Sequence, residues 1–246
     1  MKPSADELGA RIMGIFHKSE GIYGVRRVKS VLNSQGIRVS IPTIRKKFRK
    51  YGLIPRASKK YTHFVNSVSN PCSAQNILSR NFYINVPNSA WVSDFTYIKT
   101  NDGFKYLAVV IDLFSRRIVG WDLSDSMSSE MIINALDKAV SERNPSRGLI
   151  VHSDRGSQYS SHIYQEFLAN HNFRCSMSSP GNPCDNACAE SFFHSLKVEW
   201  LYGKKFHGIS DLYSSVLQYI EVFYNRQRLH SYLGYLSPVS FENYIA

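Results

Sequence analysis

Several features that mark large protein classes are missing from this chain. None of its 246 residues lies in an apolar run approaching the roughly 20 needed to span a bilayer, and the opening MKPSADELGA carries two acids and no signal-like apolar stretch. No membrane partner is expected, and the cytoplasm is the expected location. The four cysteines, Cys72, Cys175, Cys184 and Cys188, lack the paired CxxC spacing of a zinc ribbon. They are expected to be reduced thiols, although Cys184 and Cys188 with nearby His194 would in principle suit zinc. No P-loop of the form GxxxxGK[ST] and no internal repeat is present, so nothing points to nucleotide hydrolysis or to a solenoid.

Acidic residues are also scarce at one end. Residues 1–60 hold fifteen Lys and Arg against Asp6, Glu7 and Glu20, a net of +12, whereas residues 61–246 hold fifteen against sixteen, a net of −1. The formal charge of +11 therefore sits entirely in the amino-terminal quarter. A basic module joined to a near-neutral one suggests a nucleic-acid arm attached to a unit that does chemistry. With 43% hydrophobic and 13% aromatic residues, the chain can bury a substantial core.

The patterning divides the chain into residues 1–54, 55–88 and 89–246. In the first part, Ser4 and Glu7 have capping-box spacing ahead of Leu8, Ile12, Ile15 and Phe16, which predicts a helix to Lys18. A second helix is expected over Gly24 to Leu32, and Gly36 breaks the chain. Ser40 is a good N-cap for a third helix, Ile41 to Lys50, stopped by Gly52. Arg45, Lys46, Lys47, Arg49 and Lys50 crowd its outer face, so helix, turn and basic helix have the layout of a helix-turn-helix that contacts DNA phosphates. An ordinary solvated helix face is the plainer alternative. Residues 55–88 look like a linker of mixed order.

From Ala90 the period changes to that of strands. WVSDFTYIKT alternates, with Trp91, Ser93, Phe95 and Tyr97 on one face and Val92, Asp94, Thr96 and Ile98 on the other, and Asn101-Asp102-Gly103 reads as a hairpin turn. FKYLAVVID and RRIVGWDL predict two more antiparallel strands. A helix over Met127 to Arg143, a strand over Gly148 to His152, a helix over Ser161 to Asn170 and a strand over Phe173 to Ser178 complete the pattern. The expected fold is α/β, a ribonuclease-H-like mixed sheet with flanking helices, preceded by a small all-α module.

Three acids stand out within this frame. Asp94 lies mid-strand among apolar residues, where a carboxylate is costly unless paired or bound to a cation. Asp154 follows the strand LIVHS directly, at the carboxyl end where α/β sheets place their sites. Glu190 lies on a helix read from Ala187 onward. Oxygen-only sites of this type suit Mg²⁺ or Mn²⁺, and two ions about 3.5–4 Å apart can activate a nucleophile and stabilise the leaving oxygen of a phosphodiester. Asp112 and Asp122 are rival acids whose positions fit turns better. His152 either orients Asp154 or packs in its strand.

Thirty-five residues separate Asp154 from Glu190, and with the blocks WVSDFTYI, HSDRGSQY, SMSSPGNPCDNACAESFFHSLKVE and YNRQRLHSYLGYLSPVSFE the chain resembles the OrfB-type transposases of the insertion sequence 3 family, relatives of retroviral integrases. YGVRRVKSVLNSQGIRVS resembles the helix-turn-helix that precedes their core. Cys184 and Cys188 depart from the aromatic and aliphatic residues common there. The resemblance implies that Asp94, Asp154 and Glu190 are catalytic metal ligands for two Mg²⁺ or Mn²⁺ ions, and that Lys197, two helical turns beyond Glu190, contacts the DNA end. His194, one turn from Glu190, contacts DNA or packs, and Arg226 and Arg228 are candidates for phosphate contact. It further implies terminal-repeat and target DNA as partners, a homo-oligomer, an upstream OrfA product as fusion or partner, and association with a bacterial nucleoid. A catalytically silent DNA-binding regulator and a ribonuclease-H-type nuclease are the alternatives.

Overall fold

A computed structural model describes residues 5–56, 74–179 and 183–245. The amino-terminal part forms three helices, α1 (Ala5–Lys18), α2 (Val25–Ser34) and α3 (Ile41–Lys50). Ser40 caps α3 by accepting from the Thr43 N–H, and Gly36 takes a φ of +77° in the turn before it. Ser4 of the expected capping box lies outside the described residues. Leu8, Ile12, Phe16, Val28, Leu32, Ile44 and Phe48 fill the space between the three helices. The cations Arg45, Lys46, Arg49 and Lys50 are left exposed on α3.

The rest is built on a five-stranded sheet of order β3-β2-β1-β4-β5. Strands β1 (Ala90–Thr100), β2 (Gly103–Asp112) and β3 (Ile118–Ser124) run antiparallel, and the register Thr100↔Gly103 places a tight turn at Asn101-Asp102. The short strands β4 (Ile150–Ser153) and β5 (Arg174–Met177) add in parallel beyond β1. Helices α4 (Ser129–Arg143) and α5 (His162–Asn170), capped by Ser128 and Ser161, cover one face. Trp91, Ala108, Val110, Val119, Ala135, Leu136 and Ala139 pack there. Val92, Leu107, Val109 and Ile111 point the other way, toward α6 (Ala187–Ser195) and α7 (Ile209–Leu217). The alternation read in WVSDFTYIKT therefore buries both faces over Trp91–Ser93, as expected where helices cover a sheet on each side, while Tyr97 and Lys99 further along are exposed.

Two π-helical turns interrupt the carboxyl-terminal helices, Leu196–Leu201 after α6 and Gln218–Tyr224 after α7, and a last helix, α8, spans Pro238–Ile245. The apolar core on this side is continuous with that of the three amino-terminal helices. A buried ionic cluster joins the same two parts. Glu199, on the first π turn, accepts from Arg228 at 2.7 and 2.8 Å and from Arg27 of α2 at 3.2 Å. Tyr23 reinforces the joint by donating to the Gln227 carbonyl at 2.7 Å.

Part of the expected linker is integral to the core. Leu78 is buried, the Ile77 and Leu78 N–H groups donate to Ser176 Oγ on β5, and the Asn76 and Arg80 side chains donate to Asp185. Residues 57–73 lie outside the described ones.

Helix α4 comes close against the sheet at Gly120 of β3. A Cβ built there would stand 2.1 Å from the Ala135 carbonyl oxygen and 2.8 Å from Ala139 Cβ, so the absent side chain and the two alanines together set the seating of α4. Gly120→Ala is expected to lower unfolding free energy by about 3 kcal/mol through overpacking against backbone. Urea denaturation with an unchanged m-value measures it, and a loss below about 0.5 kcal/mol, the scale of surface substitutions, would remove Gly120 from this role.

Candidate active site

The site lies where β1 and β4 part. The two strands pair only through Ala90↔Ile150, Trp91↔Val151 and Val92↔His152. Carried two residues further, that register sets Asp94 beside Asp154, with no ladder between them. Asp94 points to the α6 face of β1, as its alternation with Val92 requires. Its Oδ1 accepts from the Phe95 N–H at 2.8 Å, and Asp154 Oδ1 accepts from the Gly156 N–H at 2.9 Å. Gly156 lets the loop turn back on the carboxylate: a Cβ there would meet Asp154 Oδ1 at 3.1 Å.

The electrostatics follow from this placement. Burial first, then the charge of Asp154, and to a smaller extent that of Glu190, hold the Asp94 carboxyl well above the usual aspartate range, against the lowering effects of the Phe95 N–H and Lys197. Burial also raises Asp154, offset by its bond from Gly156. Beneath them Tyr159 is fully buried with its hydroxyl 3.3 Å from Ser93 Oγ, and burial and the two aspartates push its phenol well above the ordinary tyrosine range. Glu190 is exposed on the first turn of α6. Among the described residues no three His, Cys, Asp or Glu groups are gathered closely enough to close around one ion. The two aspartates are the adjacent two of the three, and Glu190 acts on Asp94 more weakly from α6.

Lys197 arrives by a route that helical spacing does not describe. The α-helix ends at Ser195 and widens into a π turn one residue before Lys197. The side chain donates from Nζ to Thr96 Oγ1 at 2.7 Å and lies 5.0 Å from the Tyr97 ring centroid. Burial lowers its pKa, and Asp94 partly restores it. Thr96 and Tyr159 thus belong to the site although neither carries a charge that would mark it in the sequence.

Other candidates fall elsewhere. Arg228 is not available to DNA. It is 7% exposed and bound to Glu199, an acid whose burial the tail's helical pattern does not reveal. Arg226 and His194 are exposed. Lys47 is half-buried, its Nζ 5.9 Å from the Tyr51 ring centroid. His152 packs: its ring nitrogens meet Ser176 Oγ at 2.9 Å and Ser178 Oγ at 3.3 Å, and burial lowers its pKa. Asp112 accepts from the Phe114 and Asn88 N–H groups at the β2–β3 turn, and Asp122 pairs with Lys138. Cys175 and Cys188 are free thiols, Cys188 Sγ accepting from Arg116, and the Cys184 side chain lies outside the described residues.

A mixed sheet of this order, with two acids at a strand split and a third on the helix facing them, defines a ribonuclease-H-like polynucleotidyl transferase. Two models, each described as an integrase core domain, match residues 85–183 and 190–244, and an HTH-like domain matches residues 3–61. The transposase InsF for insertion sequence IS3A of Escherichia coli (strain K12) is 42% identical over 94% of this chain and 81% of its own length. The transposase for insertion sequence element IS904 of Lactococcus lactis subsp. lactis (strain IL1403) is 40% identical over 96% and 94%. Among solved structures, the cryoEM structure of a simian T-cell lymphotropic virus intasome in complex with the PP2A regulatory subunit B56 gamma aligns with a TM-score of 0.54 at 18% identity, covering 87% of this chain and 69% of that one, and supports the fold. The chain belongs to the IS3 family of insertion-sequence transposases, enzymes of the DDE type.

The raised carboxyl gives a sign to test. An aspartate whose folded-state pKa is raised favours folding below its unfolded pKa of about 3.9 and loses that advantage as pH rises through the folded value. In chelating buffer at pH 7, Asp94→Asn should therefore raise the thermal midpoint by several degrees, about 2–4 °C per kcal/mol, and the gain should vanish near about pH 3.5. An Asp94→Asn midpoint at or below that of the parent at pH 7 would contradict the repulsion described here.

Proposed function

We propose that this transposase hydrolyses one strand at each end of its insertion sequence and joins the exposed 3′-hydroxyl to target DNA, using Asp94, Asp154 and Glu190. The observation that carries this reading is the juxtaposition of Asp94 and Asp154 at the strand split, both with raised pKa values and hydrogen-bonded there to backbone N–H groups. The donor set is carboxylate oxygen throughout, which fits a hard divalent cation. Asp94, Asp154 and Glu190 would hold Mg²⁺ or Mn²⁺, two ions per site in our reading. When bound, such cations supply Lewis acidity toward the scissile phosphodiester and neutralise the carboxylates. Lys197, fixed by Thr96, binds a phosphate beside the aspartates, and Tyr159 closes the floor of the site against water. Each chemical step breaks one phosphate ester bond and the second also forms one, so joining needs no nucleotide energy source.

The exposed cations of α3 support binding of the terminal repeats by residues 1–54, with residues 55–88 leading to a catalytic unit of residues 89–246. Lys29, Arg38 and Ser40 line a cleft beside α3 and extend that basic surface. Arg226 is a further phosphate contact in this reading. Synapsis of two ends calls for more than one copy of the chain, and recognition of the repeats is shared with an upstream OrfA product. The enzyme works in the cytoplasm on nucleoid DNA.

Labelled terminal-repeat duplex with Mg²⁺ tests the chemistry. Joined products are expected, cleavage alone would instead indicate a nuclease, and binding alone a silent regulator. Glu190→Gln should abolish joining, by at least about 10²-fold, the scale of one catalytic group, while affinity for DNA is kept. Retention of joining by this variant would remove Glu190 from the site.

Phosphate contact by α3 is tested by salt. Affinity should fall linearly with salt on logarithmic axes, and alanine at Lys46 and Arg49 together should flatten the slope by about 2. A parent protein whose affinity ignores salt would overturn the assignment.

A further inference from the structure

Beyond its split from β4, β1 carries side chains that the triad does not use. Tyr97 is 48% exposed, and Phe104, its diagonal neighbour on β2, is 51% exposed. Their rings meet edge to face with centroids 5.4 Å apart, so the pair is fixed in position yet uncovered. Lys197 Nζ stands 5.0 Å from the Tyr97 ring centroid and 2.7 Å from Thr96 Oγ1. One cation therefore reaches round the open edge of β1, touching Thr96 on the Asp94 face and the Tyr97 ring on the other.

An aromatic platform beside a fixed cation is the combination with which proteins hold single-stranded nucleic acid: rings stack on the π-face of a base while the cation takes the neighbouring phosphate. We infer that Tyr97 and Phe104 form a stacking platform for an unpaired base at the DNA end, with Lys197 on the adjoining phosphate. This rests on the catalytic reading above and extends it to how the end is presented. A terminal base kept in the duplex stack would hold its phosphate in helical geometry. Stacked on Tyr97, it frees the last phosphodiester to enter the gap between β1 and β4. A protein partner seated on the two rings would leave the Lys197 ammonium, already paired with a hydroxyl, without an anionic role at the interface.

The test uses the full chain in chelating buffer, where no chemistry occurs. The probe is a duplex with 2-aminopurine in an unpaired 3′-terminal position, alongside the same duplex fully paired. The parent protein is expected to quench the unpaired fluorophore and to prefer the frayed end. Tyr97→Ala should remove the quench and weaken frayed-end binding about tenfold, the loss of one base–aromatic stack, with paired-duplex affinity unchanged. Tyr97→Phe should keep both properties, and Phe104→Ala should lose part of the quench. A quench that survives in both alanine variants overturns the proposal. So does an equal loss of affinity for both duplexes, or a change in sedimentation alone, which would make the rings a contact between copies. Failure of the catalytic reading is separable, since it appears in the joining assay with Mg²⁺, as no joining by the parent or as joining retained by Glu190→Gln, whatever the metal-free quench shows.

Discussion

Asp94 and Asp154 are held side by side where two parallel strands diverge, and the folded chain alone derives no benefit from it. Each carboxylate loses water and faces the other across a gap with no ladder, compensated there by single backbone N–H groups. What keeps them together is the sheet. Val92↔His152 is the last pair before the split, and the residues around it are buried on both faces, so neither strand can rotate its acid away without exposing a tryptophan or valine. Strain of this electrostatic kind, maintained by packing elsewhere, is characteristic of sites whose charge is neutralised by something that binds.

A second buried charge has the opposite character. Glu199 is enclosed by Arg228 and Arg27 with hydrogen bonds to each, and the guanidiniums hold its carboxyl below the ordinary range despite burial. Breaking such a cluster from one side costs about 3–5 kcal/mol, because a charge is left buried without a partner. The cluster has a positional effect as well. Arg27 belongs to α2, while Glu199 lies on the π turn that also carries Lys197. The helix-turn-helix-like helices and the residue beside the aspartates are thus tied through a two-residue span of backbone.

The elements of the sheet were legible because their signals are local. Alternation in WVSDFTYIKT, the Ser40 cap before α3, the apolar periodicity of α4 and α5, and the turn at Asn101-Asp102 each act within a few residues, and their bounds agree with the structure to within about two residues. The two aspartates were legible for the same reason, one misplaced in an apolar strand and the other at a strand's end. Arg228 was misread because its partner is 29 residues away and an acid in VEWL gives no sign of being buried. Thr96 and Tyr159 carry no charge, and only the approach of Lys197 and the floor beneath the aspartates reveals them. The strap formed by Asn76, Leu78 and Arg80 looked like linker because its side chains bond to Asp185, and its backbone N–H groups to Ser176, across the fold and follow no period.

The segregation of charge acquires a physical meaning from these contacts. The +12 of the first sixty residues is not spread evenly over their surface. Arg27 is turned inward onto Glu199, whereas Arg45, Lys46, Arg49 and Lys50 face solvent. Arg27 and Arg56 both reach Glu199, whereas the exposed cations of α3 are left to set the field on the outer surface. Residues 61–246, near neutral overall, set the half-buried Lys197 beside the repelling acids, while Arg155, next to Asp154, is bound to the Ser178 carbonyl. In the reading proposed above, phosphate drawn by α3 is met beside the aspartates by Lys197, so the DNA end is positioned there by a short contact and by the shape of the gap more than by net attraction.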